Sequence, residues 1–530
     1  MRNARLTFAL AAALSCFGCS RCGREGGARE ELLQLLPRDA EAVLVVPDIA
    51  RLGQDLSSLE QLKVASFAAQ LQGFPSASEL VSSLMQQVGF DLRSREALEK
   101  AGVDPARGLA VVLLPGGHAY SAIAVRDAGA FRDALAKLAR DRLGAGQVST
   151  RRSGDLEITT FSANPALRAA MVLRGGFALV GGEDLAASLE GRAQVAPAAS
   201  LSQDAAFAAA SGRLPKERDF IGYFPPASAA GREYSVAGGA ISGAISRREI
   251  SLSLDLPWAS VQRALSRASA AAPSPYGALA PDAFLVARYG GDPASLDGVW
   301  PRLVGPRAAG ALRDAGFDVP SEVLSNVQPG AVLSLSLSSQ VSFAQPLGSV
   351  DPRRVNPFRY VGVVAAAVVR DVAKAAATLE KLPSLAPAVG AQLRPAQVGG
   401  LRAFLATYSQ GEGLDLALAG DRLLAAAPQA RFSEALGRAS GADAGPGPLG
   451  DPELRAALEK EPFAIAVDLR ALRESVKALP GSAWGVGGFA IKASTVRWLD
   501  ATDDLRAVTG WARARDGAVQ AELTLRLTGE

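Results

Sequence analysis

One histidine, three cysteines and three methionines are all that 530 residues carry of the side chains on which many metal and redox sites are built. The cysteines are Cys16, Cys19 and Cys22, so the chain beyond them has none. Zinc sites made of His and Cys are excluded on that count, and so is a cysteine nucleophile in the body of the protein. Ser-His-Asp and Cys-His catalysis needs an imidazole to carry the proton, and His118 is the one available. It stands in Pro115-Gly-Gly-His-Ala119, where paired glycines mark a turn, and reads as a turn residue facing solvent. An excess of one charge is also missing. Lys and Arg number 56 against 53 Asp and Glu, a net +3. Nucleic acid calls for a concentrated basic face and is excluded as a partner. Arg151-Arg152, Arg247-Arg248 and Arg353-Arg354 are isolated pairs, too short to track a phosphate backbone.

Further motifs fail on context. Ser-x-x-Lys and Gly-x-Ser-x-Gly are absent. Gly445-Pro-Gly-Pro-Leu-Gly450 has the spacing of a dinucleotide loop, but it follows a helix pattern and holds two prolines, whereas that loop needs a preceding strand and free backbone N–H groups. Gly485-Val-Gly-Gly-Phe-Ala490 emerges from a loop. Asp500-Ala-Thr-Asp-Asp504 lacks the ligand spacing and glycine of an EF-hand and reads as a polar turn. No catalytic residue, cofactor or metal site is expected.

What is present begins at the N-terminus. Met1-Arg-Asn-Ala-Arg5 leads into an apolar run from Leu6 to Leu14 and then Ser15-Cys-Phe-Gly-Cys19-Ser20, the layout of an export signal. The run is short of the ~20 residues of a spanning helix. Gly18 before Cys19 resembles the lipobox of bacterial lipoproteins. That resemblance implies acylation of Cys19, with Cys16 behind Ala13-Leu14-Ser15 as the alternative site, and Ser20 favours the outer membrane. Acyl chains would anchor the protein at ~0.8 kcal/mol per buried CH2. The competing reading is an ordinary secretory signal. Residues 20–30 are polar and Gly-rich and are expected to form a flexible tether, with Cys22 a bystander within it.

The chain is then written twice, a feature to seek before any other. Leu36-Pro-Arg-Asp-Ala-Glu-Ala-Val-Leu-Val-Val46 returns as Leu279-Ala-Pro-Asp-Ala-Phe-Leu-Val-Ala287. Glu99-Lys-Ala-Gly-Val-Asp-Pro105 and the run Leu109–Leu114 are echoed by Arg313-Asp-Ala-Gly-Phe-Asp-Val-Pro320 and Ala331–Leu337. Ala124-Val-Arg-Asp127 through Leu138 matches Val368-Val-Arg-Asp371 through Leu382 without gaps. Gly176–Val180 matches Gly420–Leu424, Phe220–Phe224 matches Phe463–Val467, and Ile245–Leu256 matches Trp511–Leu525. An ordered series of this length is a duplicated domain rather than a solenoid. The expected organisation is a signal over 1–19, a tether over 20–30, a first repeat over 31–270, a linker over 271–278 and a second repeat over 279–530.

Periodicity gives each copy its elements. Gly108–Leu114 and Tyr120–Arg126 read as strands about the Gly116-Gly117 turn. Asp127 caps a helix with Phe131, Leu135 and Leu138 on one face. Gln147–Thr150, Leu156–Phe161, Ala169–Leu173 and Phe177–Val180 are short strands, with turns at Gly154-Asp155 and Gly175-Gly176, and a helix is expected over Asp184–Arg192. Ile250–Leu256 and Val519–Leu527 alternate and should each have one buried and one wet face. The fold class is α+β, two similar lobes each with antiparallel strands and packed helices.

The entry Leu-Pro-x-Asp-Ala before an apolar strand, with Gly-Val-Asp-Pro leading into another, resembles a family of uncharacterised exported bacterial lipoproteins. It implies compartment and fold and carries no reaction. The function expected is therefore that of a non-catalytic, membrane-anchored envelope protein, a scaffold or binding protein. Its partners are the membrane, through the acyl chains, and an envelope protein or apolar ligand. The alternatives are a periplasmic carrier of lipid or another apolar ligand, and a hydrolase that works with carboxylates alone.

Overall fold

The computed structural model describes residues 26–88, 91–164, 167–182, 190–191, 199–226, 228, 238–266, 274–301, 305–338, 356–409, 411–441, 449–484 and 488–528. Cys16, Cys19, Cys22, the signal and most of the expected 184–192 helix lie outside them. So do Gly445 and Gly485, and residues 271–273 of the expected linker. The chain divides into two compact units at Trp258/Ala259, and the helix Ala259–Ser266 packs with the second.

In the first unit the strands are β1 (Ala42–Val46), β2 (Leu109–Leu113), β3 (Ala119–Ala124), β4 (Gln147–Ser153), β5 (Leu156–Asn164), β6 (Leu167–Arg174), β7 (Phe177–Gly182), β8 (Phe220–Phe224), β9 (Gly239–Ile245) and β10 (Glu249–Leu256). They pair antiparallel throughout, in the order β4-β5-β6-β7-β3-β2-β1-β8-β9-β10. Alternation sends one set of side chains to each face. Val43, Val45, Ala110, Tyr120, Ala122, Phe177 and Leu179 meet Leu32, Leu33, Phe207 and Ala210 from the helices Gly26–Gln34 and Ala205–Arg213. On the other face Phe161, Met171 and Ala178 meet Phe131, Leu135 and Ala139 of the helix Ala128–Leu143 and Met85 of the helix Ala77–Val88. Two helical layers therefore sandwich the sheet.

The second unit contains β11 (Leu285–Tyr289), β12 (Ala331–Leu337), β13 (Val361–Val368), β14 (Ala391–Val398), β15 (Leu401–Tyr408), β16 (Gly411–Glu412), β17 (Asp415–Ala419), β18 (Arg422–Ala427), β19 (Phe463–Asp468), β20 (Leu505–Arg515) and β21 (Ala518–Leu527). All pairings are antiparallel, in the order β14-β15-β17-β18-β13-β12-β11-β19-β20-β21, with the two-residue β16 folded against β15. Val286, Val332, Val364, Leu424, Ala464 and Ala466 form a core with Phe432 and Leu436 of the helix Gln429–Ala439 and Leu454 and Leu458 of the helix Pro452–Lys460. The class is α+β with antiparallel sheet.

Local chemistry explains the joints. Asp127 accepts from the Ala130 N–H at 3.0 Å and Asp371 from that of Lys374 at 2.9 Å, each capping the helix that follows. Gly102 lies at φ +80, and a Cβ there would fall 2.3 Å from the Asp127 carbonyl oxygen. The end of the helix Arg95–Lys100 can approach the start of the helix Ala128–Leu143 so closely only over a glycine.

Two expectations are corrected. Residues 26–30, expected within the tether, belong to the helix Gly26–Gln34, because Leu32 and Leu33 behind them are buried and anchor it. The strands β10 and β21 alternate as expected, but their polar side is not the wet one: it is packed along with the apolar side, where Leu252 meets Val46, Leu52 and Phe220 and where Val519 and Leu527 are buried. Ser253 and Asp255 are buried while Leu252 and Leu254 are half-buried, and Gln520 and Thr524 are buried while Leu523 is 49% exposed. Polar side chains tolerate this when their hydrogen bonds are met inside: Asp255 is held by Arg213, Gln520 by Arg513 and Thr524 by Glu522.

Candidate functional site

Among the described residues, five fully or nearly buried charged groups stand out, since such groups persist only when paired or hydrogen-bonded. Asp255 on β10 takes a two-pronged contact from Arg213 at the end of the helix Ala205–Arg213, with distances of 2.8 and 2.6 Å. Asp219, just before β8, accepts from the Ile245 N–H at 2.8 Å, and Arg51 stands 3.2 Å away as an ion pair not aligned as a hydrogen bond. Burial pushes the Asp219 carboxyl up to about 6 against the pull of that N–H and of Arg51. Asp415 opens β17 and accepts from the Ala406 N–H at 2.8 Å, where β16 interrupts the pairing of β15 with β17. Burial pushes it, too, up to about 6. Arg288 on β11 donates to Ser274 Oγ at 2.9 Å and to the Glu461 carbonyl at 3.2 Å. Arg473 donates to the Thr502 and Leu505 carbonyls at 2.8 and 2.7 Å. Each of the five ties separate elements of its own unit together.

Two depressions on the described residues are open and charged. One, of ≈ 820 Å³, lies in the first unit at the start of the helix Ala128–Leu143 and is lined by Glu96, Glu99, Lys100, Arg126 and Asp127. Glu99 bonds Arg95 at 2.9 Å and lies 3.5 Å from Arg126. The Arg95 hydrogen bond holds its carboxyl below the usual range. It is therefore a carboxylate already engaged, the opposite of a proton donor. The other, of ≈ 290 Å³, lies in the second unit among Arg470, Arg473, Glu474, Lys477 and Asp503. Its walls are closed pairs: Arg470 with Glu474 at 3.0 Å, and Arg473 with Asp503 at 3.5 Å.

The motifs set aside in the sequence fall as follows. His118 is half-buried in the turn between β2 and β3, more enclosed than the solvent-facing position expected, with its ring beside Gly116. Asp500 ends the helix Gly488–Asp500 and pairs with Lys477 at 2.6 Å, while Asp503 turns to Arg473, so these carboxylates diverge rather than enclose a cation. No group of three or more metal-ligating side chains occurs among the described residues. No described helix is long and apolar enough to cross a membrane. The Arg213–Asp255 pair was not singled out from the sequence. Its signal was the one acid in Ile250-Ser-Leu-Ser-Leu-Asp-Leu256, on the side opposite the leucines.

No protein-family model matches the chain. No curated protein matches it either. Among solved structures, it is similar to two crystal forms of a protein called TP0453. Form I aligns at 11% identity over 49% of this chain and 81% of that one, with a TM-score of 0.26. Form III aligns at 7% identity over 43% and 79%, with a TM-score of 0.24.

Proposed function

We propose that the protein is a non-catalytic, lipid-anchored scaffold or binding protein of the bacterial cell envelope, built by tandem duplication of one α+β domain. It would be exported, acylated at Cys19 or alternatively Cys16, and held at the outer membrane, in keeping with the exported lipoproteins its entry motifs resemble. What carries the non-catalytic part is the use made of the buried charges: Asp219, Asp255, Asp415, Arg288 and Arg473 all join elements of the fold.

The duplication is supported strand by strand. With β16 set aside, β4-β5-β6-β7-β3-β2-β1-β8-β9-β10 has the same order as β14-β15-β17-β18-β13-β12-β11-β19-β20-β21. Registers agree as well. Aligning Val43 with Val286 and Phe220 with Phe463 carries the Val43–Tyr223 pair onto the Val286–Ala466 pair. The isolated bridge Val103–Val125 has its counterpart in Val327–Val369. Two blocks shift: the bridges set Val103 against Val327, ten residues beyond Phe317, its match in the sequence block, and the pairing of Ala124 with Phe177 and of Val368 with Arg422 sets Gly176 against Asp421, not Gly420. On this reading the repeats are joined near 259–278.

Metabolic labelling with radioactive palmitate tests the anchor. Label on the envelope fraction that disappears in Cys19→Ser is the expected result, and loss in Cys16→Ser instead moves the site. An unlabelled protein that stays in the cell interior overturns the proposal.

A further inference from the structure

On the helix Gly488–Asp500 in the second unit two large apolar side chains, Ile491 and Trp498, are exposed on one face, with Ser494 and Thr495 between them. Trp498 is 52% exposed and Ile491 40%. By contrast, Trp484 is buried at 1% and Trp300 at 9%. At about 100° per residue, Trp498 returns to within about 20° of Ile491 around the axis and sits about 10 Å further along it. Lys492 then projects about 100° to one side of this pair and Arg497 about 120° to the other. The third charge of the helix, Asp500, is neutralised by Lys477 at 2.6 Å. Among the described residues Lys492, half-buried, bonds the Leu479 carbonyl at 3.3 Å and has no carboxylate partner, and neither has Arg497. The face therefore presents tryptophan and isoleucine between two uncompensated cations.

We infer that this helix is a membrane-surface contact whose Ile491–Trp498 face enters the interface of an anionic phospholipid layer while Lys492 and Arg497 meet the headgroups. An amphipathic helix seated in the plane of a bilayer buries an apolar ridge and lets flanking basic side chains reach outward. Tryptophan is enriched at that depth because its ring is apolar and its N–H is polar. Uncompensated positive charge favours an anionic layer over a zwitterionic one. The inference rests on the anchored reading above, which keeps a bilayer within reach of the body.

The test uses the full-length acylated protein reconstituted into vesicles of phosphatidylglycerol or of phosphatidylcholine, each containing brominated lipid that quenches nearby tryptophan. Quenching in the anionic vesicles is expected to exceed that in the zwitterionic ones. Trp498→Phe should remove most of it, and the double variant Lys492→Ala/Arg497→Ala should reduce it to the phosphatidylcholine level. Circular dichroism identical to the wild type shows that these surface changes leave the fold intact. Equal quenching in the two lipids, or quenching unchanged in Trp498→Phe, overturns the inference. If that happens while palmitate still labels Cys19, the anchor stands and only the helix contact fails. Palmitate missing from the protein removes the anchored reading itself.

Discussion

Cutting either side of the Arg213–Asp255 pair should destabilise the first unit, and the two cuts should differ. The Asp255 side chain is 1% exposed and that of Arg213 is 21% exposed. Arg213→Ala leaves a carboxylate enclosed on β10 without its counter-charge. Removing one partner of a buried pair costs about 3–5 kcal/mol, and this variant belongs at the upper end. Asp255→Ala leaves a guanidinium that already touches solvent and can swing outward, so its cost should sit near about 3 kcal/mol. Against a domain stability of about 5–15 kcal/mol, both are large. Replacing both residues with leucine should recover much of the loss, since well-packed apolar pairs often match or exceed a buried ion pair. Denaturant titration followed by hydrogen–deuterium exchange would show it, with faster exchange at 205–213 and 249–256. Equal costs, or costs under about 0.5 kcal/mol as for an exposed pair, would refute the reasoning.

The raised carboxyls give a pH effect of definite sign. Asp219 and Asp415 sit at about 6 in the folded state against 3.8 unfolded, so the folded chain binds their protons first and gains stability as pH falls through 6. Between pH 7 and 5 each contributes about 1 kcal/mol. Subtracting the pH profile of Asp219→Asn/Asp415→Asn from that of the parent should reveal the gain, and parallel profiles would exclude it. At Gly53 an added Cβ would lie 1.8 Å from the Leu92 carbonyl oxygen. Gly53→Ala should therefore push the helix Ile49–Leu59 off its seat and lower the melting temperature sharply, and an unchanged melt would contradict that contact. Asp127→Ala and Asp371→Ala should each cost about 1 kcal/mol through the lost cap. A cost at one position only would argue against the equivalence of the two sites, and denaturant midpoints would register it.

The elements legible in the sequence were those whose signal is local. The expected strand over Gly108–Leu114 is β2 (Leu109–Leu113), the cap at Asp127 starts the helix Ala128–Leu143, and turns fall at Gly154, Gly175 and Gly176 with positive φ. In each case the pattern and the turn chemistry agree with the final neighbours, so nothing distant has to override them. The helix Gly488–Asp500 was hidden, because Ser494, Thr495 and Val496 weaken the helical pattern and its exposed Ile491 and Trp498 supply no buried stripe to read.

The inward polar faces of β10 and β21 were illegible for a different reason. Alternation fixes which residues share a face, but the direction of that face depends on what packs against it. In isolation the leucines of Ile250–Leu256 point to the core. What makes the other side buriable is Arg213, forty-two residues upstream, whose guanidinium completes Asp255. On β21 the same part is played by Arg513, across the turn from Gln520, and Glu522 adds a contact to Thr524. A polar strand face is thus turned inward wherever the fold delivers a matching donor or acceptor, and that delivery belongs to tertiary structure. The candidate sites follow the same rule. Asp500 and Asp503, read from the sequence as parts of a polar turn, are absorbed by Lys477 and Arg473.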